Sequence, residues 1–161
     1  MHLEHTLPIF INEDSEILIL GSFPSVKSRE VMFYYGHPQN RFYKVLGSLF
    51  NEDAPITVEE RKAFLKRCKI ALYDVISECD IEGSKDSSIR NVVPIDITTI
   101  LNRHSSIKVI GINGNTAKYY FDKYLLSKVG KIKVMYLPST SPANAKMNLD
   151  ALLSKYKELI N

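Results

Sequence analysis

Apolar residues fall along this chain in two alternating patterns. The first is a short run that is apolar on both sides. It occurs at Glu16–Ser22 (EILILGS), Lys69–Val75 (KIALYDV), Ile107–Asn113 (IKVIGIN) and Ile132–Leu137 (IKVMYL). Such runs suit strands of a parallel sheet that is covered on both faces. The second pattern is a helical stripe. Phe42, Val45, Leu46, Leu49 and Phe50 recur at helical spacing, as do Ala117, Tyr120, Phe121, Tyr124 and Leu125. Leu149, Leu152, Leu153, Tyr156, Leu159 and Ile160 predict a C-terminal helix, and Thr57 with Glu60 forms a capping box opening a helix that reaches Lys66. Strands alternating with helices predict parallel βαβ units, hence an α/β fold with helices on both faces of the sheet. No repeat, linker or low-complexity tract interrupts the pattern, so the 161 residues read as one domain, 1–161.

Composition narrows the class. With 45% hydrophobic and 24% charged residues the chain is of globular type, which excludes disordered, collagenous and coiled-coil proteins. No apolar run reaches the ~18 residues of a membrane span. MHLEHTLPIF has no basic region followed by an apolar stretch. The expectation is a cytoplasmic protein without membrane association. Lys and Arg (21) exceed Asp and Glu (18), a net charge of +3 that permits a nucleic-acid partner without requiring one. Cys68 and Cys79 are too few for a structural zinc site or a four-cysteine cluster and read as free thiols in a reducing compartment. His2, His5, His37 and His104 lack metal-ligand spacing, so no metal is expected. GSFPS lacks both the GxGxxG spacing and the phosphate-binding Lys of a nucleotide turn, and neither GxSxG nor HExxH occurs.

Ligands of an open parallel sheet bind beyond the carboxyl ends of its strands. The segments there are Gly21–Ser25, Asp74–Cys79, Asn113–Asn115 and Pro138–Ala145, all rich in neutral hydrogen-bonding residues. Tyr34–Tyr43 (YYGHPQNRFY) adds aromatics and an Asn just before a helix; from the residues alone Asn40 reads equally as a helix cap. Asp80–Asn91 (DIEGSKDSSIRN) reads as a long polar loop, either a functional segment or a surface connection.

Taken in order, GSFP at Gly21–Pro24, HPQNRF at His37–Phe42, NGNTA at Asn113–Ala117 and LPSTSPANA at Leu137–Ala145 resemble the uracil-DNA glycosylase superfamily. The resemblance covers nearly the whole chain. It is nearest to the branch of hypoxanthine-DNA glycosylases and mismatch-specific uracil/thymine-DNA glycosylases. It implies a three-layer α/β/α domain with a central four-stranded, mostly parallel sheet. It also implies hydrolysis of the N-glycosidic bond of a deaminated or mismatched base flipped from DNA, by a monomer without a cofactor.

Residue by residue, the resemblance implies the following roles. Phe23 stands where many relatives carry an Asn or Asp that positions water; in the hypoxanthine branch the Asn of HPxN takes that part, here Asn40. Phe23, Tyr35 and Asp74 fall at base-binding positions, with Tyr35 as the stacking aromatic and Asp74 as an acceptor for a base N–H. Ser22, Ser25, His37, Ser139, Thr140, Ser141 and Asn144 fall at DNA-contacting positions. Lys27 and Arg90 are further phosphate contacts, and Asn144 is an alternative cap for the last helix. The last loop lacks the His that uracil-reading relatives carry, which favours hypoxanthine. No Lys is placed by a motif as a Schiff-base nucleophile, implying a monofunctional enzyme. An inactive lesion-binding module and a small-nucleoside hydrolase remain the other readings.

Overall fold

The computed structural model describes residues Met1–Asn161. Four parallel strands form its centre: β2 (Ile17–Gly21), β3 (Ile70–Asp74), β6 (Val109–Asn113) and β7 (Lys133–Leu137), in the order β3-β2-β6-β7. The four apolar runs supply these strands. Every residue of β2 is buried, as its place between β3 and β6 requires.

Residues alternate between two cores, one on each face of the sheet. Ile17, Ile19, Ile70 and Leu72 point to one side. There they meet α2 (Phe42–Leu49), α3 (Val58–Arg67) and α6 (Leu149–Tyr156) through Phe42, Leu46, Phe64, Leu152 and Tyr156. Leu18, Leu20, Ile110 and Ile112 point to the other, against α4 (Ile97–Arg103) and α5 (Asn115–Tyr124) through Ile97, Ala117 and Phe121. The three-layer α/β/α arrangement follows from that alternation. The capping box of α3 is formed, with Thr57 and Glu60 each accepting from the other's backbone N–H. The C-terminal helix is shorter than its stripe predicts: α6 ends at Tyr156 and a 3₁₀ turn carries Leu159 into the core.

The Asp80–Asn91 segment is corrected by the structure. Its ends belong to strands, β4 (Ile76–Asp80) and β5 (Arg90–Pro94), and only residues 81–89 between them form the loop. With β1 (His2–Glu4) they make a three-stranded antiparallel sheet in the order β1-β4-β5. Ile81 and Ile89 are buried at the two ends of the loop, which fixes it to the second core. Register shifts between β4 and β5 break the alternation a hairpin would otherwise show. Helices α1 (Val26–Val31) and α4 are short segments outside the expected set. Ser25 and Asp96 cap them by accepting from Ser28 N–H and Thr99 N–H.

Leu20 has no exposed surface and sits at the centre of the sheet. Leu20→Ala is expected to lower the free energy of unfolding by about 2–5 kcal/mol. Urea denaturation monitored by circular dichroism reads this directly, and an unchanged midpoint would contradict the packing described.

Candidate active site

The parallel strands end in register. Gly21 of β2 pairs with Asp74 of β3, and Asn113 of β6 with Leu137 of β7. The residues that follow each strand therefore emerge side by side. They enclose a cleft of about 510 Å³ bounded by residues 21–25, 34–40, 84–87 and 139–143, with Asp74 and Asn113 on its floor.

Two close approaches shape that floor. Gly114 has φ of +94°, and a Cβ there would lie 3.2 Å from Ser139 Cβ, so the turn after β6 and the loop after β7 meet only with glycine present. At Gly21 a Cβ would lie 2.7 Å from Asp74 Oδ1 and 3.3 Å from the Tyr35 hydroxyl. Only glycine lets Asp74 Oδ1 and the Tyr35 hydroxyl pack this closely against the end of β2.

Asn113 fastens the last loop. Its Nδ2 donates to Thr140 Oγ1 (3.1 Å) and its Oδ1 accepts from Thr140 N–H (3.3 Å). Arg41 fastens the same loop to the start of α2. Its guanidinium donates to the carbonyls of Ser141 (3.2 Å), Asn144 (2.9 Å) and Met147, and its N–H donates to Thr140 O (3.1 Å). Charge-assisted bonds of this kind are worth about 1.5–3 kcal/mol each. The two motif segments, HPQNRF and LPSTSPANA, are thus one unit in space.

Most of the expected site residues meet in this cleft, in different states. Asn40 stands half-buried on its wall, with Oδ1 accepting from Phe42 N–H (3.0 Å). The N-cap of α2 is Arg41, with no side-chain cap bond, so Asn40 is not the cap; its bond to Phe42 N–H closes a local turn just ahead of the helix. That bond uses one of the two lone pairs of Oδ1 and none of the amide hydrogens. Exposed His37 lies beside it, with Nδ1 accepting from Gln39 N–H (3.1 Å). Tyr35 takes a left-handed backbone (φ 56°) and stacks on Phe42 at 3.8 Å, so one ring face is occupied. Its buried hydroxyl lies beside the Asn113 side chain but makes no hydrogen bond of ordinary geometry. Burial and the nearby Asp74 carboxylate raise its pKa well above that of a free tyrosine, keeping it protonated. Phe23 borders the cleft, but most of its side chain belongs to the second core.

Several expected DNA contacts have other duties. Thr140 is fully buried, and its hydroxyl anchors the loop to Asn113 instead of facing solvent. Asn144 donates to Ser139 O (2.9 Å), and the cap of α6 is Asn148, which corrects that alternative. Ser25 caps α1, and Ser22 donates to Asp86 Oδ1 (3.4 Å). Ser139 and Ser141 accept from backbone N–H groups within the loop, which leaves their own O–H groups free to donate. Lys27 pairs with Glu30 (3.6 Å) and does not border the cleft. Arg90 closes the base of the 81–89 loop by donating to Ser87 O and Ile89 O.

Three residues of the site escaped the sequence reading. His5, from the segment after β1, places Nε2 at 2.8 Å from Asp74 Oδ2, with both side chains almost wholly buried. Arg41 is the clamp just described. Asp86, on the loop between β4 and β5, reaches the cleft mouth. Desolvation of its carboxyl raises its pKa, against the opposing effect of hydrogen bonds from Thr116 and Ser22.

Comparison with known proteins fits this geometry. Residues 8–161 match the model of the uracil DNA glycosylase superfamily. Two relatives are called hypoxanthine DNA glycosylase. The protein from Methanosarcina barkeri is 35% identical over 140 residues, which is 86% of this chain and 87% of the relative. The one from Methanosarcina acetivorans is 33% identical over 147 residues, 91% of each chain. A uracil-DNA-glycosylase-like protein from M. acetivorans, solved by solution NMR, superposes with a TM-score of 0.82 at 30% identity, with both chains fully covered. The chain belongs to the uracil DNA glycosylase superfamily.

The clamp makes a dynamic prediction. Arg41→Ala removes three charge-assisted bonds to the 139–147 segment. Amide exchange there is expected to rise by roughly ten-fold or more, while β2 and β6 keep their protection. Unchanged exchange over 139–147 would show that Arg41 does not hold the loop.

Proposed function

We propose that this protein is a monofunctional DNA glycosylase that hydrolyses the N-glycosidic bond of a flipped deaminated base, hypoxanthine in preference to uracil. The observation that carries the reading is a neutral amide on the wall of a cleft whose floor holds a buried carboxylate with one oxygen uncommitted. Family membership and the names of the two Methanosarcina relatives support it.

Asn40 is the residue that positions water. Phe42 N–H fixes its carboxamide. The second lone pair of Oδ1 is left to accept a water O–H, which aims the water's own lone pair at C1′ of the sugar. A carboxamide is no base at neutral pH, so the C1′–N9 bond must break ahead of attack. The electron pair leaves with the base, water oxygen bonds C1′, and the water's proton passes to the departing base. The products are free base and an abasic site.

The free hydroxyls of Ser139 and Ser141 suit phosphate oxygens. Lys85, at the cleft mouth, suits the same role. Asp74 is the acceptor for an N–H on the base edge. Phe23 in place of a water-positioning Asn or Asp leaves the chemistry to Asn40 alone, and also sustains the second reading, a lesion-binding module without activity.

A labelled duplex carrying one deoxyinosine decides between them. Alkali-dependent strand breaks at the lesion, with chelator present, are the expected result. Asn40→Ala should lower single-turnover cleavage by about 10²–10³, or roughly 2.7–4 kcal/mol, with DNA affinity retained. Affinity should fall with salt at a slope near −0.9 per phosphate neutralised. Breaks without alkali would give Lys85 a Schiff-base role. Tight binding without breaks would favour the inactive module.

A further inference from the structure

Asp74 and Tyr35 border the cleft, and His5 is buried behind Asp74. Asp74 carries one oxygen held and one free. Oδ2 lies 2.8 Å from His5 Nε2, and the two side chains are 6% and 2% exposed. His5 Nδ1 is buried with no partner, so Nε2 is the nitrogen that carries the proton and donates. The imidazole is fixed by the edge of Tyr73 at 4.9 Å and by Phe23 at 5.8 Å. Oδ1 accepts no hydrogen bond within the protein and packs against Gly21, 2.7 Å from where a Cβ would stand. The Tyr35 hydroxyl packs against the same glycine, 3.3 Å from that point, buried beside the Asn113 side chain but with no hydrogen bond of ordinary geometry. Both residues border the cleft. An unpaired buried hydroxyl is costly, and one set beside a carboxylate oxygen with no donor suggests a ligand that satisfies both.

We propose that His5 is a positioning residue for base selection. By occupying Oδ2 it leaves Asp74 Oδ1 as a single acceptor, set beside the Tyr35 hydroxyl as a donor, and this pair reads a lactam edge, N–H next to C=O. The inference rests on the glycosylase reading above and adds the residues that choose the base.

The chemistry of the pair is directional. Hypoxanthine presents N1–H to the carboxylate oxygen and C6=O to the tyrosine hydroxyl. Adenine presents the reverse, a lone pair at N1 and an amino group at C6. It would set a lone pair against Oδ1 and leave the hydroxyl without an acceptor. A site built to hydrogen-bond a substrate discriminates strongly against an analogue that strands its buried polar groups. The pair therefore separates hypoxanthine from the base whose deamination makes it. Guanine, uracil and thymine also present an N–H beside a C=O, so the pair separates a deaminated base from its amino parent, and the choice among lactam bases falls to the rest of the cleft.

The test uses duplexes carrying deoxyinosine or 1-methyldeoxyinosine, in which a methyl replaces the N–H, in single-turnover assays. The wild-type protein should cleave deoxyinosine at least ten-fold faster. His5→Phe keeps the aromatic packing and removes the donor; it should reduce deoxyinosine cleavage and bring the ratio of the two substrates toward one. His5→Gln retains an amide donor and should restore much of the ratio. Tyr35→Phe removes a hydroxyl that makes no hydrogen bond of ordinary geometry in the protein, so its thermal midpoint should change little, while deoxyinosine cleavage drops about ten-fold, a typical consequence of losing one substrate hydrogen bond.

Equal cleavage of both substrates by the wild-type protein would overturn the proposal, and so would full activity of Tyr35→Phe. A folded His5→Phe with the wild-type ratio would remove His5 from it. If His5→Phe does not fold, the methylated substrate and Tyr35→Phe still decide. A wild-type protein inactive on deoxyinosine would instead refute the glycosylase reading, and the inference with it.

Discussion

The in-register ending of four parallel strands is the constraint on which the site depends. Gly21, Asp74, Asn113 and Leu137 all terminate strands at one edge of the sheet. Backbone hydrogen bonding on both edges of the fully buried β2 leaves little freedom to shift that register, because a slip by one residue would exchange the two cores. The positions of Asp74 and Asn113 are therefore set by the same forces that bury Leu18 and Ile19 on opposite faces. What varies above the edge is loop, and each loop is tied down individually. Asn113 holds Thr140, Arg41 holds the carbonyls of Ser141, Asn144 and Met147, and Arg29 holds the 81–89 loop through Gly83 O at 2.9 Å.

Satisfied and unsatisfied polar groups divide the site by role. Thr140, Asn113 and Asn144 spend their hydrogen bonds inside the protein and build the walls. Asn40, Ser139 and Ser141 spend some and keep some. The Tyr35 hydroxyl and Asp74 Oδ1 both pack against Gly21, and the hydroxyl makes no hydrogen bond of ordinary geometry. A flipped base entering this cleft would exchange water for fixed donors and acceptors in a region of low dielectric, where each correct or incorrect pairing counts for more than in solution. Under the proposed reading, positioning and polarity, with no strong base, carry a reaction in which bond breaking leads and water follows.

The sheet and its main helices were legible because their signals are local. EILILGS or IKVIGIN needs only its own residues to read as a buried strand, and Thr57 with Glu60 needs only a four-residue window. The loops at the sheet edge were legible from strand ends and from motif resemblance together. The small antiparallel sheet was not, since its strands are three to five residues long and their pairing carries register shifts. His5 and Asp74 are 69 residues apart, and Arg41 and Met147 are 106 apart. No periodicity encodes such pairs; they exist only once the sheet has closed. Thr140 shows the converse: an exposed-looking hydroxyl in a polar loop is turned inward by an asparagine far away in sequence.

On the proposed glycosylase reading, DNA and its flipped base meet this protein at the carboxyl edge of the parallel sheet. Amide hydrogen exchange, compared between the free protein and its complex with a deoxyinosine duplex, tests that most directly. Protection is expected over residues 21–25, 37–41, 84–87 and 139–144, with α3 and α5 unchanged beyond their first turns. Protection confined to α3, or to the exposed face of α5 around Tyr119, with those four segments unaltered, would place the DNA elsewhere on the protein.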